Sequence, residues 1–238
     1  MAIENIVALL NEEVKGKTIE ETLGFISSKY AGKIVFTTSF GYEDQVITDM
    51  IFRNNIAIDV VTLDTGRMFE ETYKVYDKTL HKYGKSIKSY FPEAEDVEKL
   101  LNGKGPISFY YSIENRKECC HIRKVKPLQE ALDGIDCWIT GLRADQSSGR
   151  GNLEHFTFDA GFNLVKYNPL FDWSLEDVKE YVKKYNVPYN ALHDRGFVSI
   201  GCEPCTRAIK PGDDFRAGRW WWEDNSGKEC GLHTHTED

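Results

Sequence analysis

The spacing of apolar and polar positions divides most of the chain into alternating helix-period and strand-period stretches. Residues 3–14 and 18–30 repeat apolar side chains at helical spacing, and Thr18 with Glu21 three residues on predicts a capping box. Residues 33–38 form a β-branched apolar run, read as a strand, which passes through Ser39-Phe40-Gly41 into a helix over 44–54. A second strand over 56–63 ends in Asp64-Thr65-Gly66-Arg67 and is followed by a helix over about 69–82 and a short strand near 86–91. Helical patterns over 94–102 and 120–132 precede a strand at 136–141 and a loop over 142–152. Residues 155–159 and 163–167 read as two short strands joined by Ala160-Gly161-Phe162, and Ser174 before Glu176 and Asp177 caps a helix over 174–185. From about residue 196 the periodicity gives way to a tail rich in Gly, Trp and Arg.

Strands alternating with helices predict an α/β fold with a doubly wound, mostly parallel sheet and an irregular C-terminal tail. Such sheets bind ligands beyond the carboxyl ends of their strands. The loops after residues 38, 63 and 140 all follow strands, so they are expected on one rim. The expected organisation is an α/β domain over 1–195, carrying Cys119 and Cys120, and a C-terminal segment over 196–238 with a CxxC pair, working as one functional domain.

At 238 residues, with 41% apolar and 29% charged positions, the chain has the composition of a soluble domain. No apolar run approaches the ~20 residues that span a bilayer. The acidic, amphipathic start is unlike a signal peptide, so the cytoplasm is the expected location and no membrane partner is expected. A net charge of −8 argues against a nucleic-acid partner, yet the cations are bunched: Arg123, Lys124 and Lys126; Arg143 and Arg150; Arg207, Lys210, Arg216 and Arg219. Local basic clusters on an acidic protein suit a small anion.

The cysteines sharpen this picture. Four of the six fall into two tight pairs, Cys119-Cys120 and Cys202-x-x-Cys205. Two such pairs brought together by folding form a four-thiolate site for zinc or an iron–sulfur cluster. In the cytoplasm, paired thiols read as ligands before disulfides. Cys137 lies within a predicted strand and reads as core. Cys230 stands in Glu229-Cys230-Gly231-Leu232-His233, with basic residues upstream, conditions that stabilise a thiolate. The segment Ser39–Gln45 offers a helix N-terminus to phosphate, and equally reads as an ordinary strand-to-helix turn; no Walker motif is present. At Asp64–Arg67 the carboxylate suits a ribose or base and the guanidinium an anion. Arg143 and Arg150 bracket a Ser/Gly loop that suits an oxyanion such as phosphate or sulfate.

The motifs SFGYEDQV, LDTGR, KECCHIRKVKPL, TGLRADQSSGR, GCEPCTRAIKPGDDFRAGRWWWED and KECGLH together resemble the assimilatory adenylyl-sulfate (APS) reductases, within the wider phosphoadenylyl-sulfate (PAPS) reductase family, from about residue 20 to 238. The resemblance implies an adenine nucleotide alpha hydrolase-like sheet and a [4Fe–4S] cluster on Cys119, Cys120, Cys202 and Cys205. It implies that Cys230 attacks the sulfur of adenosine 5′-phosphosulfate, releasing AMP and leaving a thiosulfonate from which thioredoxin, or a similar thiol reductant, frees sulfite. Substrate contacts map onto Ser39, Phe40, Gly41, Asp64, Gly66, Arg67, Arg143, Gln146 and Arg150. Lys124, Arg216, Arg219 and His233 match basic positions near sulfate or cluster, with Lys124 and His233 expected beside Cys230 in the chemistry. Lys124 follows Cys120 by four residues, which on a helix puts both on one face. PAPS in place of APS, or both, remains an alternative, and a homo-oligomer stays open. The first loop also sits where adenylating ATP pyrophosphatases carry their phosphate loop, but SGGxDS is absent. A non-catalytic electron-transfer or zinc-stabilised protein would not explain Cys230 and its basic surround.

Overall fold

The computed structural model describes residues 3–146 and 154–223. Its elements, in order, are α1 (Ile3–Glu13), α2 (Ile19–Lys29), β1 (Ile34–Thr38), α3 (Tyr42–Arg53), β2 (Asp59–Leu63), α4 (Glu70–Tyr83), β3 (Lys88–Tyr90), α5 (Ala94–Lys104), α6 (Ile113–Cys120), α7 (Lys126–Ala131), β4 (Cys137–Ile139), β5 (Phe156–Asp159), β6 (Leu164–Tyr167) and α8 (Leu175–Lys184). The strands form one sheet in the order β3-β2-β1-β4-β6-β5. β1 pairs in parallel with β2 and β4, β4 pairs in parallel with β6, and β5 closes the edge antiparallel to β6. This is the expected doubly wound, mostly parallel sheet. Its order reverses between β1 and β4, the crevice where such sheets take ligands.

The chain divides into two compact units. The first holds Met1–Thr62, Glu71–Lys88 and Gly134–Ala191; the second holds Leu63–Glu70, Ser89–Asp133 and Leu192–Asp238. The last crossing between the units falls at 191/192. Residues 63–70 and 89–133 group with the C-terminal stretch, and Cys119 and Cys120 go with them.

The first unit is built on one apolar core. Ile34 and Phe36 of β1, Ile139 of β4, and Val165 and Tyr167 of β6 pack with Val46, Ile47 and Met50 of α3 and Val178 and Val182 of α8. β1 and β6 are buried almost throughout, which is why β1 reads without alternation; β6 buries Lys166 on the Asp159 carboxylate at 3.0 Å. Cys137 belongs to this core, where burial pushes its thiol well above the ordinary range. Both predicted N-caps form full capping boxes, Thr18 with Glu21 and Ser174 with Asp177.

The second unit departs from the expected helix over 120–132. Helix begins seven residues earlier, at Ile113, where Ser112 accepts from the Asn115 N–H at 3.2 Å. It continues through a π-helical turn, His121–Val125, into α7. The first turns, Ile113–Lys117, alternate charged and polar residues without an apolar stripe, so periodicity gave no sign of them. The tandem cysteines therefore lie inside a continuous helical run, at the end of α6, rather than at its start.

A buried carboxylate ties α3 to its neighbours in the first unit. Asp49, fully buried, accepts from the Tyr83 hydroxyl at 2.6 Å, the Tyr181 hydroxyl at 2.9 Å and Arg53 Nε at 3.0 Å. Replacing Asp49 with Ala takes the acceptor from the Tyr83 and Tyr181 hydroxyls and leaves Arg53 only Tyr181, at 2.8 Å, and Glu20, at 3.7 Å. The unfolding free energy is expected to drop by about 3 kcal/mol, against about half that for Asp49→Asn; urea titration of both variants measures it.

Candidate functional site

Two sets of polar and ionisable side chains stand out, one in each unit. In the first unit the chain leaves β1 at Ser39. The residue in the left-handed region is not Gly41 but Phe40, at φ +61°, a costly conformation for an aromatic residue. Phe40 is held there by full burial and by stacking on Tyr76, with ring centroids 4.7 Å apart. Gly41 instead caps α3 in extended backbone. The kink lets the Asp44 carboxylate accept from both the Ser39 N–H (2.5 Å) and the Ser39 hydroxyl (2.7 Å). Asp44 is buried, and burial pushes its pKa up to about 6, with the Ser39 bonds opposing and Glu43 adding to the rise. A Cβ on Gly141, in the loop after β4, would strike this same carboxylate, so only glycine allows the approach.

The loop after β4 brings its own pair. Arg143 is 1% exposed; its Nε donates to Glu43 Oε1 at 2.8 Å and its Nη1 to the Trp173 carbonyl at 3.4 Å. Gln146 Nε2 donates to the same Glu43 oxygen at 3.0 Å, and Gln146 Oε1 accepts from the Arg143 N–H at 3.3 Å. Ser39, Phe40, Gly41, Arg143 and Gln146 thus come together in this unit. Arg150 lies outside the described residues. Sequence reading missed Glu43, Asp44 and Gly141; the adjacent acids at a helix N-terminus, inside a loop read for anion binding, were the available signal.

In the second unit Cys119, Cys120, Cys202 and Cys205 line one small cavity, together with Phe109 and the cations Arg67, Arg116, Arg123 and Lys124. No carboxylate is among the lining residues. Cys119 and Cys120 stand on successive faces at the end of α6; Arg116 precedes Cys120 by four residues, and Arg123 and Lys124 follow Cys119 and Cys120 by four. Cys202 and Cys205 flank a single 3₁₀ turn, with the Cys205 N–H donating to the Cys202 carbonyl at 3.0 Å. That turn is pinned by the Glu203 N–H on the Arg67 carbonyl (2.8 Å), the Tyr110 hydroxyl on the Pro204 carbonyl (2.6 Å) and the Trp220 N–H on the Cys205 carbonyl (3.2 Å). Thr65 Oγ1 is 3.3 Å from Cys202 Sγ.

Asp64 turns inward on its own loop, accepting from the Gly66 N–H at 2.8 Å. Arg67 spreads over the Phe109 ring at 4.9 Å and donates to the Pro106 carbonyl at 2.6 Å, facing the cysteines. Arg219 is 6% exposed and lies over Trp220 at 4.9 Å. Its guanidinium rests against Gly201, where a Cβ would displace it, so glycine before Cys202 lets Arg219 take this position. Arg216 reaches the same ring at 5.5 Å. Cys230 and His233 lie outside the described residues.

The donor set and its charge fit a bound metal group. None of the four cysteines is in a disulfide. Burial, then Cys202 and Cys120, pushes the Cys205 thiol up to about 12, against the pull of Arg219 and Lys124. Burial likewise raises Cys119, opposed by Arg123 and Arg67. Thiols so disposed become thiolates when a metal coordinates them. The complex would be anionic, and the lining cations would answer its charge. Among the described residues no three His, Cys, Asp or Glu side chains converge as closely as a single bare ion requires, so the fit rests on the shared cavity and its charge.

Residues 33–208 match the phosphoadenosine phosphosulfate reductase domain. This chain belongs to that family. It is 49% identical over 226 residues to an adenosine 5′-phosphosulfate reductase of Agrobacterium fabrum, covering 95% of this chain and 86% of the relative. A protein of the same name from Neisseria meningitidis is 47% identical, with 92% and 90% covered. Among solved structures, a phosphoadenylyl-sulfate reductase of Candida auris in complex with phosphate superimposes at a TM-score of 0.72 with 27% identity, over 85% of this chain and 96% of that one. Candida glabrata FMN adenylyltransferase shares the fold alone, at 16% identity and a TM-score of 0.54. Among the described residues no helix is long and apolar enough to cross a membrane.

Asp44 gives the first unit a pH signature. A folded pKa of about 6 against the ordinary aspartate value of 3.8 means that the protonated form is favoured by folding. Its contribution is complete below about pH 4 and is lost as pH rises through about 6, by up to roughly 3 kcal/mol. Asp44→Asn is expected to remove that slope while keeping an acceptor for Ser39. Urea midpoints of the two proteins between about pH 4 and pH 7 test it, the difference isolating this group.

Proposed function

We propose that this chain reduces adenosine 5′-phosphosulfate to sulfite and AMP, with thioredoxin or a similar thiol as reductant, in cytoplasmic sulfate assimilation toward cysteine. The observation that carries this reading is the near-full-length similarity to proteins named adenosine 5′-phosphosulfate reductase. The four-cysteine cavity with its cations supports a [4Fe–4S] cofactor held by Cys119, Cys120, Cys202 and Cys205. Such a cluster would supply a fixed scaffold and an electrostatic charge, since the thiol chemistry is complete in electrons without it.

The Cys230 thiolate attacks the sulfate sulfur. The bond from sulfur to the bridging phosphate oxygen breaks, AMP leaves with its electron pair, and Cys230–S–SO3⁻ remains. A thiolate of the reductant then attacks the Cys230 sulfur, and sulfite leaves with the S–S electron pair. The second thiol of the reductant resolves the mixed disulfide and returns Cys230; the dithiol has supplied both electrons. A thiolate approaching an anionic sulfate meets like-charge repulsion, which Lys124, Arg143, Arg216 and Arg219 offset. His233 holds the thiolate or a sulfonate oxygen. Ser39, Phe40, Gly41, Asp64, Gly66, Arg67, Gln146 and Arg150 complete the proposed substrate contacts, with Arg143 already oriented by Glu43.

A second substrate reading is favoured by the Candida auris phosphoadenylyl-sulfate reductase. Sulfite release from APS and from PAPS with thioredoxin, beside iron, zinc and sulfide content, separates the two and identifies the metal; APS turnover with iron and sulfide is expected. Cys230→Ser is expected to keep its colour and bind substrate while forming no sulfite, and sulfite formation by this variant would remove Cys230 from the nucleophile's role. Lys124→Ala is expected to slow formation of the Cys230 adduct far more than it weakens AMP binding, read by rapid quench and by calorimetry.

A further inference from the structure

Arg116 is not among the residues that sequence reading selected, yet it is the most completely enclosed cation of the cysteine cavity. It is 3% exposed. Its Nε and Nη2 donate to the two oxygens of Glu223 at 2.7 and 2.9 Å, a fork-to-fork pair buried on both sides. Its guanidinium lies 4.4 Å over the Trp220 ring. It stands one helical turn before Cys120 on α6 and lines the cavity together with Cys120 and the other three cysteines. Glu223 is not a lining residue. The pair therefore forms an oriented dipole with its positive end toward sulfur and its negative end away.

We propose that Arg116 is a positioning residue of the cysteine cavity, held by Glu223 and Trp220 so that its guanidinium fixes Cys120 and answers the charge of the metal group those cysteines hold. Stability alone does not call for such a pair, because well-packed apolar residues of similar volume usually do as well as a buried ion pair. An apolar pair would not present a donor to a sulfur. Donors to ligand sulfurs tune the electronics and solvent resistance of iron–sulfur sites. The inference rests on the iron–sulfur reading given above and adds to it a residue pair.

The test uses the full-length protein as isolated and the double variant Arg116→Met with Glu223→Met, which removes the charges together and leaves neither buried alone. Iron and sulfide content of the wild type judges the cofactor reading by itself. The double variant is expected to unfold cooperatively near the wild-type midpoint and to load iron. Its visible absorption and Mössbauer spectra are expected to shift, and its colour to bleach in air several-fold faster. Arg116→Lys, which keeps a point charge but not the fork, is expected to fall between the two. An iron-loaded double variant with wild-type spectra and bleaching rate would overturn the proposal and leave the pair a packing feature. Should the double variant fail to fold, wild-type spectra and bleaching in Arg116→Lys would overturn it equally. A wild type devoid of iron sinks the cofactor reading, and this inference with it.

Discussion

Buried positive charge beside buried sulfur is the constraint on which the second unit depends. Arg116, Arg123 and Arg219 are each at most 6% exposed around the two cysteine pairs. Arg116 has Glu223, but among the described residues neither Arg123 nor Arg219 has a carboxylate partner. Arg123 donates to the Thr65 carbonyl at 2.6 Å and Arg219 to Ser199 at 3.3 Å, bonds that satisfy one donor each without cancelling charge, while the buried Nε of both has no hydrogen-bond partner among the described residues. Keeping guanidinium out of water is costly unless an anion lies close. A thiolate-bound metal group is such an anion, whereas four protonated thiols are not. The cations and the cysteines thus explain each other, and either set alone would be a poor interior.

The first unit meets a related problem at a strand end. A helix N-terminus with free N–H groups attracts negative charge, and here it carries Glu43 and Asp44 in its first turn. Both acids are committed: Asp44 to Ser39, Glu43 to Arg143 and Gln146. The consequence is a loop whose conformation is over-determined. Phe40 stays in its unfavourable backbone state because its ring is stacked and buried, while Asp44 anchors the preceding residue. Preorganisation of this kind suits a site that must receive a charged ligand without first reordering itself.

The sheet and most of its helices were legible because β1, β2 and β4 carry apolar runs and α1, α2 and α8 carry clear caps or stripes. The cysteine set was legible because pairs at x0 and x2 spacing have few other uses. Less legible was the helix that presents Cys119 and Cys120. Its opening turns bury Arg116 in place of an apolar residue, so a polar residue occupies what is physically a core position. The π-helical turn after Cys120 was equally hidden, since it depends on how that helix packs and not on local composition. The left-handed backbone of Phe40 in the first loop was hidden for a similar reason, since stacking and burial of its ring hold a conformation that its residue type disfavours.

The arginines show where reading residues singly runs out. On sequence, Arg143 and Arg219 are cations in loops, available to an anion. In the structure Arg143 is enclosed and oriented by Glu43, and Arg219 is wedged between Gly201 and Trp220. Arg116 follows the same pattern with Glu223 and the same tryptophan. A guanidinium that must act at one place needs its fork filled or its face covered, because an unrestrained side chain would lose rotamer entropy on engaging its target. The informative unit is therefore an arginine with the carboxylate, aromatic ring or glycine that holds it, and apart from the adjacent Arg219–Trp220 pair these partners lie from 18 to 107 residues away in the chain. Local spacing cannot reveal them; burial of the charge does.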